Sequence, residues 1–217
     1  KIGLPSSMQM FFEVALFTGA IWLCGMIGTT SQAANQIALS LASLTFMFAM
    51  GLSVTAMVRV ANQKGQEDYV MLRTVGLSIF ILAVILEIVF AILFIAFHQV
   101  LPIIFVNTQD LVTIVETQEV ISISAQLLIV AAFFQISDGI QVVVLGALRG
   151  LQDVKIPMYM TFVAYWVIGF PVSIYLGLYT DMKAVGVWIG LLAGLTAAAL
   201  FLYLRFDYLT KKLIHND

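Results

Sequence analysis

The sequence predicts an all-α membrane protein with six transmembrane helices. Hydrophobic residues make up 62% of its 217 residues and charged residues only 10%, whereas a soluble domain is about 45–50% apolar and about 25% charged. The mean hydropathy is +1.05. The apolar stretches between the charged residues are long enough for helices that cross a bilayer. This composition excludes a soluble fold with a large core.

Short polar or charged segments divide the chain, which we treat as one domain, residues 1–217. We place the spans at about residues 5–28, 35–58, 74–97, 120–148, 157–178 and 184–204. A polar turn at 28–35 separates the first two spans, and the segment 98–119 suits a re-entrant or surface helix plus a loop. Pro171 should kink or loosen the fifth span. The sixth span carries a row of small residues that lets another helix approach closely: Gly186, Gly190 and Gly194.

Lysine and arginine residues fall almost entirely on one side of the predicted spans. The side with both chain ends receives nine of them: Lys1, Arg59, Lys64, Arg73, Arg149, Lys155, Arg205, Lys211 and Lys212. The other side receives only Lys183. Because basic loops stay in the cytoplasm, we expect a multi-pass protein of the cell (inner or plasma) membrane with both chain ends cytoplasmic. Membrane lipid then surrounds the protein, and the bases are topology signals with no nucleic-acid role.

Two features of composition bear on completeness and cofactors. The first residue is Lys1 and not Met, so we expect a piece of a longer protein or a processed product. The single cysteine, Cys24, permits neither an internal disulfide nor a thiolate metal site. No cofactor is expected.

Two carboxylates lie deep within apolar spans. At 1.5 Å per residue, Glu13 is about 18 Å from Lys1 along its helix, and Asp138 is about 16 Å from Arg149. Both acids therefore lie near the midplane, and neither apolar stretch holds a base in its interior. A carboxylate in hydrocarbon is costly unless it pairs, binds a cation or takes up a proton. Proton or metal-cation binding is the first functional hypothesis.

Helical spacing places polar residues on the same faces as the two acids. Gln9 precedes Glu13 by four residues on the first span. On the fourth span and the second span, the polar positions at helical spacing are Gln135, Asp138 and Gln141, then Gln36, Ser40 and Ser43. These three helices are predicted to enclose a polar pocket with two acids and no base. The third buried acid, Glu87, has apolar helical neighbours, which favours a structural role or a partner on another helix.

Four segments resemble a known family. Residues 3–14 read GLPSSMQMFFEV, 34–38 read ANQIA, 59–65 read RVANQKG and 146–153 read GALRGLQD. In this order and spacing they resemble the carboxy-terminal six-helix lobe of multidrug and toxic compound extrusion (MATE) transporters, NorM branch. The resemblance covers essentially the whole chain.

The resemblance implies a fold, a function and a site. In that family two six-helix lobes enclose a central cavity and export organic cations and other drugs in exchange for H⁺ or Na⁺. The acids of its seventh and tenth helices match Glu13 and Asp138, which would couple the ion, with Na⁺ at these two residues as the metal alternative. Phe134 stands where some relatives have a tyrosine, which removes one ligand oxygen and favours protons. The amino-terminal lobe would be a missing partner, and no enzymatic activity is expected.

Three other functions fit parts of the pattern. A lipid or polysaccharide flippase of the same superfamily would line its cavity with bases, which these spans lack. A structural six-helix subunit leaves Glu13 and Asp138 unexplained. An intramembrane aspartyl protease usually needs two close aspartates, and here the pair is a glutamate and an aspartate.

The distribution of bases generates a test of topology. We expect Gly65 and Gln152 to be cytoplasmic and Thr108 and Asp181 to be external. Cysteines introduced one at a time, with Cys24 replaced, should react with impermeant reagents from those sides. Labelling of position 65 from outside only would reverse the orientation.

Overall fold

The structure, a computed structural model, describes residues 3–105 and 114–215, and its regular structure there is helical. Its α-helices are α1 Gly3–Ile27, α2 Thr29–Gly65, α3 Tyr69–Phe97, α4 Ile114–Gly150, α5 Lys155–Phe162, α6 Phe170–Leu178 and α7 Lys183–His215. A 3-10 helix, Leu101–Phe105, follows α3, and a π-helical segment, Val163–Gly169, joins α5 to α6. Within the described ranges, six helical stretches are long and apolar enough to span a membrane. The predicted fold class is confirmed.

The connection between α1 and α2 is shorter than the predicted turn. Gly28 is the one non-helical residue between these helices, and α2 begins at Thr29 rather than near residue 35. No proline or second glycine follows Gly28, so the polar residues after it continue as helix. Asn35 is fully buried, and its side-chain oxygen accepts a hydrogen bond of 2.8 Å from Trp188 Nε1 of α7.

Helix α4 lies at the centre of the bundle and packs against α2, α3 and α7. It begins at Ile114, six residues before the predicted span, so Glu116 and Glu119 are exposed helical residues and not part of a loop. Glu116 lies in the first turn, where a negative charge favours the helix dipole. Thr108, Asp110 and the rest of 106–113 lie outside the described residues, as does Lys1.

The fifth span is not a uniform α-helix. The π-helical segment ends at Gly169, and Pro171 follows in the first turn of α6. Proline lacks the backbone N–H that would bond to the preceding turn, so the looser hydrogen bonding before it agrees with the expected effect of Pro171. The middle of this span therefore departs from regular helical geometry.

Ion pairs and one charged hydrogen bond join loops and helices at a single end of the bundle. Arg73 of α3 contacts Asp207 of α7 at 2.6 Å, and Arg205 of α7 contacts Asp153 at 2.8 Å. Lys64 Nζ donates to the carbonyl of Leu151 at 2.7 Å. These three basic residues all belong to the side that the sequence predicts to be cytoplasmic. Such partly exposed pairs contribute little individually to stability.

The predicted small-residue row of α7 lies against α6. A Cβ atom at Gly190 would fall directly on the backbone nitrogen, Cα and hydroxyl oxygen of Ser173. The Ser173 hydroxyl in turn donates to the Val187 carbonyl at 3.0 Å. Gly190 therefore permits backbone contact between the two helices, as small residues do in membrane proteins.

This contact predicts a large effect of one methyl group. Gly190→Ala should lower the free energy of unfolding by about 1–3 kcal/mol, because the backbone of α6 cannot yield as a side-chain end can. The matched control is Gly51→Ala on α2, where an added Cβ meets nothing within 4 Å and helix propensity favours alanine. Thermal unfolding of the detergent-solubilised protein measures both. Equal melting temperatures for the two variants would contradict the close contact.

Candidate functional site

A cavity of about 440 Å³ lies between α1, α2 and α4. Its lining combines aromatic and aliphatic side chains with a few polar groups: Met10, Glu13, Val14, Phe17, Thr18, Ile21, Gln36, Leu39, Ala42, Ser43, Phe46, Phe134 and Asp138. The two predicted acids thus line one cavity although they are far apart in sequence. No Lys or Arg is among the described residues that line it.

Helical geometry brings these side chains together. Glu13 and Phe17 are four residues apart on α1, and Phe134 and Asp138 are four residues apart on α4, so each pair lies on one helix face. Phe17 and Phe134 also pack edge to face with ring centroids 6.0 Å apart. This aromatic contact fixes α1 against α4 one turn from the acids.

Asp138 is buried with an unsatisfied carboxylate oxygen. The residue is 6% exposed, and its Oδ1 has no hydrogen-bond partner among the described residues. Glu13 is partly buried, and neither acid takes part in an ion pair within the described ranges. A buried carboxylate without a partner is strongly unfavourable as an anion. The site chemistry therefore favours uptake of a proton or a cation.

The charges around the pair are mostly repulsive. Glu13 and Glu87 are both close enough to Asp138 for their charges to act on it. Arg149, partly buried near the end of α4, is close enough to attract Glu13. That attraction acts at a distance, because the two side chains form no ion pair. Neighbouring carboxylates raise each other's affinity for protons and cations.

Some predicted lining residues lie elsewhere. Gln135 faces α3, where its side-chain amide donates a long hydrogen bond of 3.5 Å to the Glu87 carbonyl. Gln9 and Gln141 are buried beyond the cavity, and their amide atoms lack partners in the described part of the chain. These residues do not line the cavity, because helical spacing defines the face on which a residue lies but not which neighbouring helix packs against that face.

The polar residues predicted on α2 also fall into two groups, those that line the cavity and one that does not. Gln36 and Ser43 line the cavity as predicted, whereas Ser40 does not. The hydroxyls of Ser40 and Ser43 donate to carbonyls of their own helix, those of Gln36 and Leu39, at 2.8 and 2.7 Å. These hydroxyl oxygens can still accept a hydrogen bond or coordinate a cation, but their protons are already donated to carbonyls of α2.

One buried polar residue, Tyr165, is not singled out by the sequence pattern. Tyr165 lies in the π-helical segment, is 0% exposed, and its hydroxyl has no hydrogen-bond partner among the described residues. The charges of Glu13 and Asp138 both reach it. π-helical turns occur frequently at functional sites. The sequence places this tyrosine in the same span as Pro171, which could have indicated an irregular helix around it. Residue spacing alone does not reveal the change in helical phase that a π-helical turn introduces.

The donor set does not resemble a dedicated multi-ligand metal centre. The described residues contain no group of three or more His, Cys, Asp or Glu side chains placed to hold a metal ion. A cation at Glu13 and Asp138 would need neutral oxygens to complete its coordination.

The fold and the cavity define a multi-pass membrane protein with carboxylates inside its helical bundle, an arrangement that secondary transporters use. The model of the MatE family matches residues 5–175. A probable multidrug resistance protein NorM from Agrobacterium fabrum is 38% identical over 98% of this chain and 45% of its own length. The multidrug resistance protein NorM of Photobacterium profundum is 36% identical over 96% of this chain and 45% of its own length. This chain belongs to the MatE family of transporters.

Solved structures show the same fold. A crystal structure of the eukaryotic MATE transporter AtDTX14 superposes with a TM-score of 0.86 at 21% identity, over 99% of this chain and 48% of that one. An outward-facing multidrug resistance MATE family transporter of the MOP superfamily gives 0.86 at 18% identity, over 98% and 46%. The chain spans about half the length of the relatives it matches, which agrees with the predicted single lobe.

Proposed function

We propose that the chain is the carboxy-terminal lobe of a multidrug efflux antiporter driven by a cation gradient. One observation carries the proposal: Glu13 and Asp138 line a common cavity and neither forms an ion pair within the described residues. The NorM relatives, whose names describe multidrug resistance proteins, support drug export. An amino-terminal lobe of similar size would complete the transporter, because this chain accounts for 45% of those relatives.

The proposed mechanism is alternating access around the cavity. A cation enters from outside and binds at Glu13 and Asp138, which removes the cost of two unpaired carboxylates. Binding favours the conformation that releases drug outward, and release of the cation to the cytoplasm resets the transporter. The ion can drive this change only by binding one conformation more tightly than the other.

Protons are the favoured coupling ion, with Na⁺ as the alternative. Phe134 lines the cavity without a ligand oxygen, and a proton needs fewer oxygens than a metal cation. Na⁺ would require neutral oxygens beside Glu13 and Asp138, and the cavity offers those of Gln36 and Ser43. Tyr165 is a further candidate ligand, since its buried hydroxyl has no partner among the described residues.

The cavity lining also suggests the class of substrate. Three phenylalanines and two acids line it, and aromatic faces together with carboxylates suit organic cations. A flippase for anionic lipids or polysaccharides is less favoured, because the described lining residues include no base. We place the transporter in the plasma membrane with both ends of this chain in the cytoplasm, as the distribution of bases indicates.

Neutral substitutions at the two acids test the coupling site in the full-length transporter. Glu13→Gln and Asp138→Asn should each reduce gradient-driven drug export about tenfold or more, because each removes a cation-binding charge. The double variant should be little worse than either single one, since the two residues act as a unit. Insertion should survive, because both changes remove a buried charge.

Drug export measured in membrane vesicles that contain the full-length transporter also identifies the coupling ion. Export driven by a pH gradient in Na⁺-free buffer indicates protons, and dependence on Na⁺ at fixed pH indicates the metal cation. Wild-type export by the double variant under either gradient would show that the carboxylates are structural.

The hydroxyl of Tyr165 provides a separate test. Tyr165→Phe should raise the half-saturating concentration of the coupling ion about tenfold, the loss expected for one hydrogen bond to a charged site. Tyr175→Phe is the matched control, because Tyr175 lies on α6 and is 64% exposed. If the two variants have the same half-saturating concentration in export assays, Tyr165 is a packing residue.

A further inference from the structure

Four side chains from four helices form a chain of contacts that runs from the core of the bundle to the cavity. They are Asn35 of α2, Trp188 of α7, Phe134 of α4 and Phe17 of α1, and we call this set the aromatic relay. Asn35 and Trp188 are 0% exposed and do not line the cavity. Phe134 and Phe17 do line it. The first two members of the relay therefore lie behind the cavity wall.

The first contact of the aromatic relay is a buried hydrogen bond. Trp188 Nε1 donates to the side-chain oxygen of Asn35 at 2.8 Å, and the two residues are 153 positions apart in the sequence. An indole N–H can only donate, and a buried donor that loses its acceptor keeps the cost of its desolvation. The hydrogen bond therefore holds the indole in one orientation between α2 and α4.

The next two contacts join aromatic rings. The ring centroids of Trp188 and Phe134 are 5.1 Å apart, with ring planes inclined at 57°. Those of Phe134 and Phe17 are 6.0 Å apart, with ring planes inclined at 72°. Both separations lie within the range of about 4.5–7 Å in which inclined aromatic pairs attract each other. The orientation of the indole thus bears on the orientation of both phenylalanine rings.

Phe17 is the ring of the aromatic relay that a molecule in the cavity would touch. Phe134 is only 1% exposed, because it is enclosed between the other two rings, whereas Phe17 is partly exposed. Phe17 also lies four residues after Glu13 on the same face of α1. An aromatic cation held near Glu13 would therefore stack on Phe17. Close packing leaves few voids in which Phe134 could move alone, so it transmits a displacement of the indole to Phe17.

We propose that Asn35 and Trp188 are positioning residues, which act through Phe134 to hold the Phe17 ring in the orientation that binds aromatic organic cations. This inference rests on the proposed function, because it takes the cavity to be a drug site. Stacking and cation–π attraction depend on where the ring lies. A hydrogen bond outside the cavity is then a determinant of drug affinity.

Equilibrium binding of ethidium, a flat aromatic cation, to the purified full-length transporter tests the inference without an ion gradient. A fluorescence titration gives both the Kd and the number of sites. Trp188→Phe removes the indole N–H but keeps an aromatic ring, and it should raise the Kd about fivefold with the number of sites unchanged. Asn35→Leu removes the acceptor and should have the same effect. A variant that only misfolds would lose sites, while its remaining sites keep the wild-type Kd.

Thr45→Val is the matched control on α2. Thr45 is buried, its hydroxyl donates to the Ala42 carbonyl at 2.9 Å, and the residue does not line the cavity. This variant also loses a buried hydrogen bond, but outside the aromatic relay. The Kd of ethidium should therefore remain at the wild-type value.

A double-variant cycle separates positioning from general packing. Phe17→Leu removes the ring and should itself raise the Kd of ethidium. In that background Trp188→Phe should have little further effect, because the two residues act in series and their effects are not additive. If Trp188→Phe does not accumulate as folded protein, Asn35→Leu replaces it in the cycle.

Four outcomes would overturn the inference: no saturable binding of ethidium to the wild type, an unchanged Kd in the variants of Asn35 and Trp188, an equal rise in Thr45→Val, or full additivity with Phe17→Leu. Failure of the antiport proposal is distinguishable, because it appears as undiminished gradient-driven export by Asp138→Asn. The binding measurement uses neither that variant nor a gradient.

Discussion

The cost of carboxyl groups in a low-dielectric interior is the constraint on which this structure depends. Glu13, Glu87 and Asp138 form no ion pairs in the described part of the chain, although one end of the bundle contains several. Basic residues are used at the ends, where water screens them, and are absent from the interior of the predicted spans. Under the proposed antiport, this separation leaves the interior acids available to small cations. A buried salt bridge would have removed that capacity.

Helix α4 forms part of the surroundings of two of these acids, Asp138 and Glu87. It is enclosed by α2, α3 and α7. One of its faces turns Asp138 towards the cavity, and on another face the Glu87 side chain of α3 lies against the backbone at Gly139. The fold thereby gives these two acids, which lie beside one turn of α4, two different environments.

Periodicity and depth were sufficient to predict the six helices and to bring Glu13 and Asp138 to one cavity, because both signals are local to one helix. The neighbours of each helix face are not local. Gln135 and Gln141 share the spacing of Asp138 but lie outside the cavity, and Glu87 has apolar neighbours on α3 while its contact is on α4. The environment of each polar residue was therefore the part that the sequence could not supply.

The fifth span joins a π-helical turn to a regular helix, and both halves pack against α7. Beyond Pro171, α6 is held against α7 through Ser173 and Gly190. Before Pro171, the π-helical segment also approaches α7 closely, because a Cβ atom at Gly194 would be 2.9 Å from Gly169 Cα and 3.2 Å from the Ala164 carbonyl oxygen. What distinguishes the first half is its altered helical phase, which places the buried hydroxyl of Tyr165 within reach of the charges of both cavity acids.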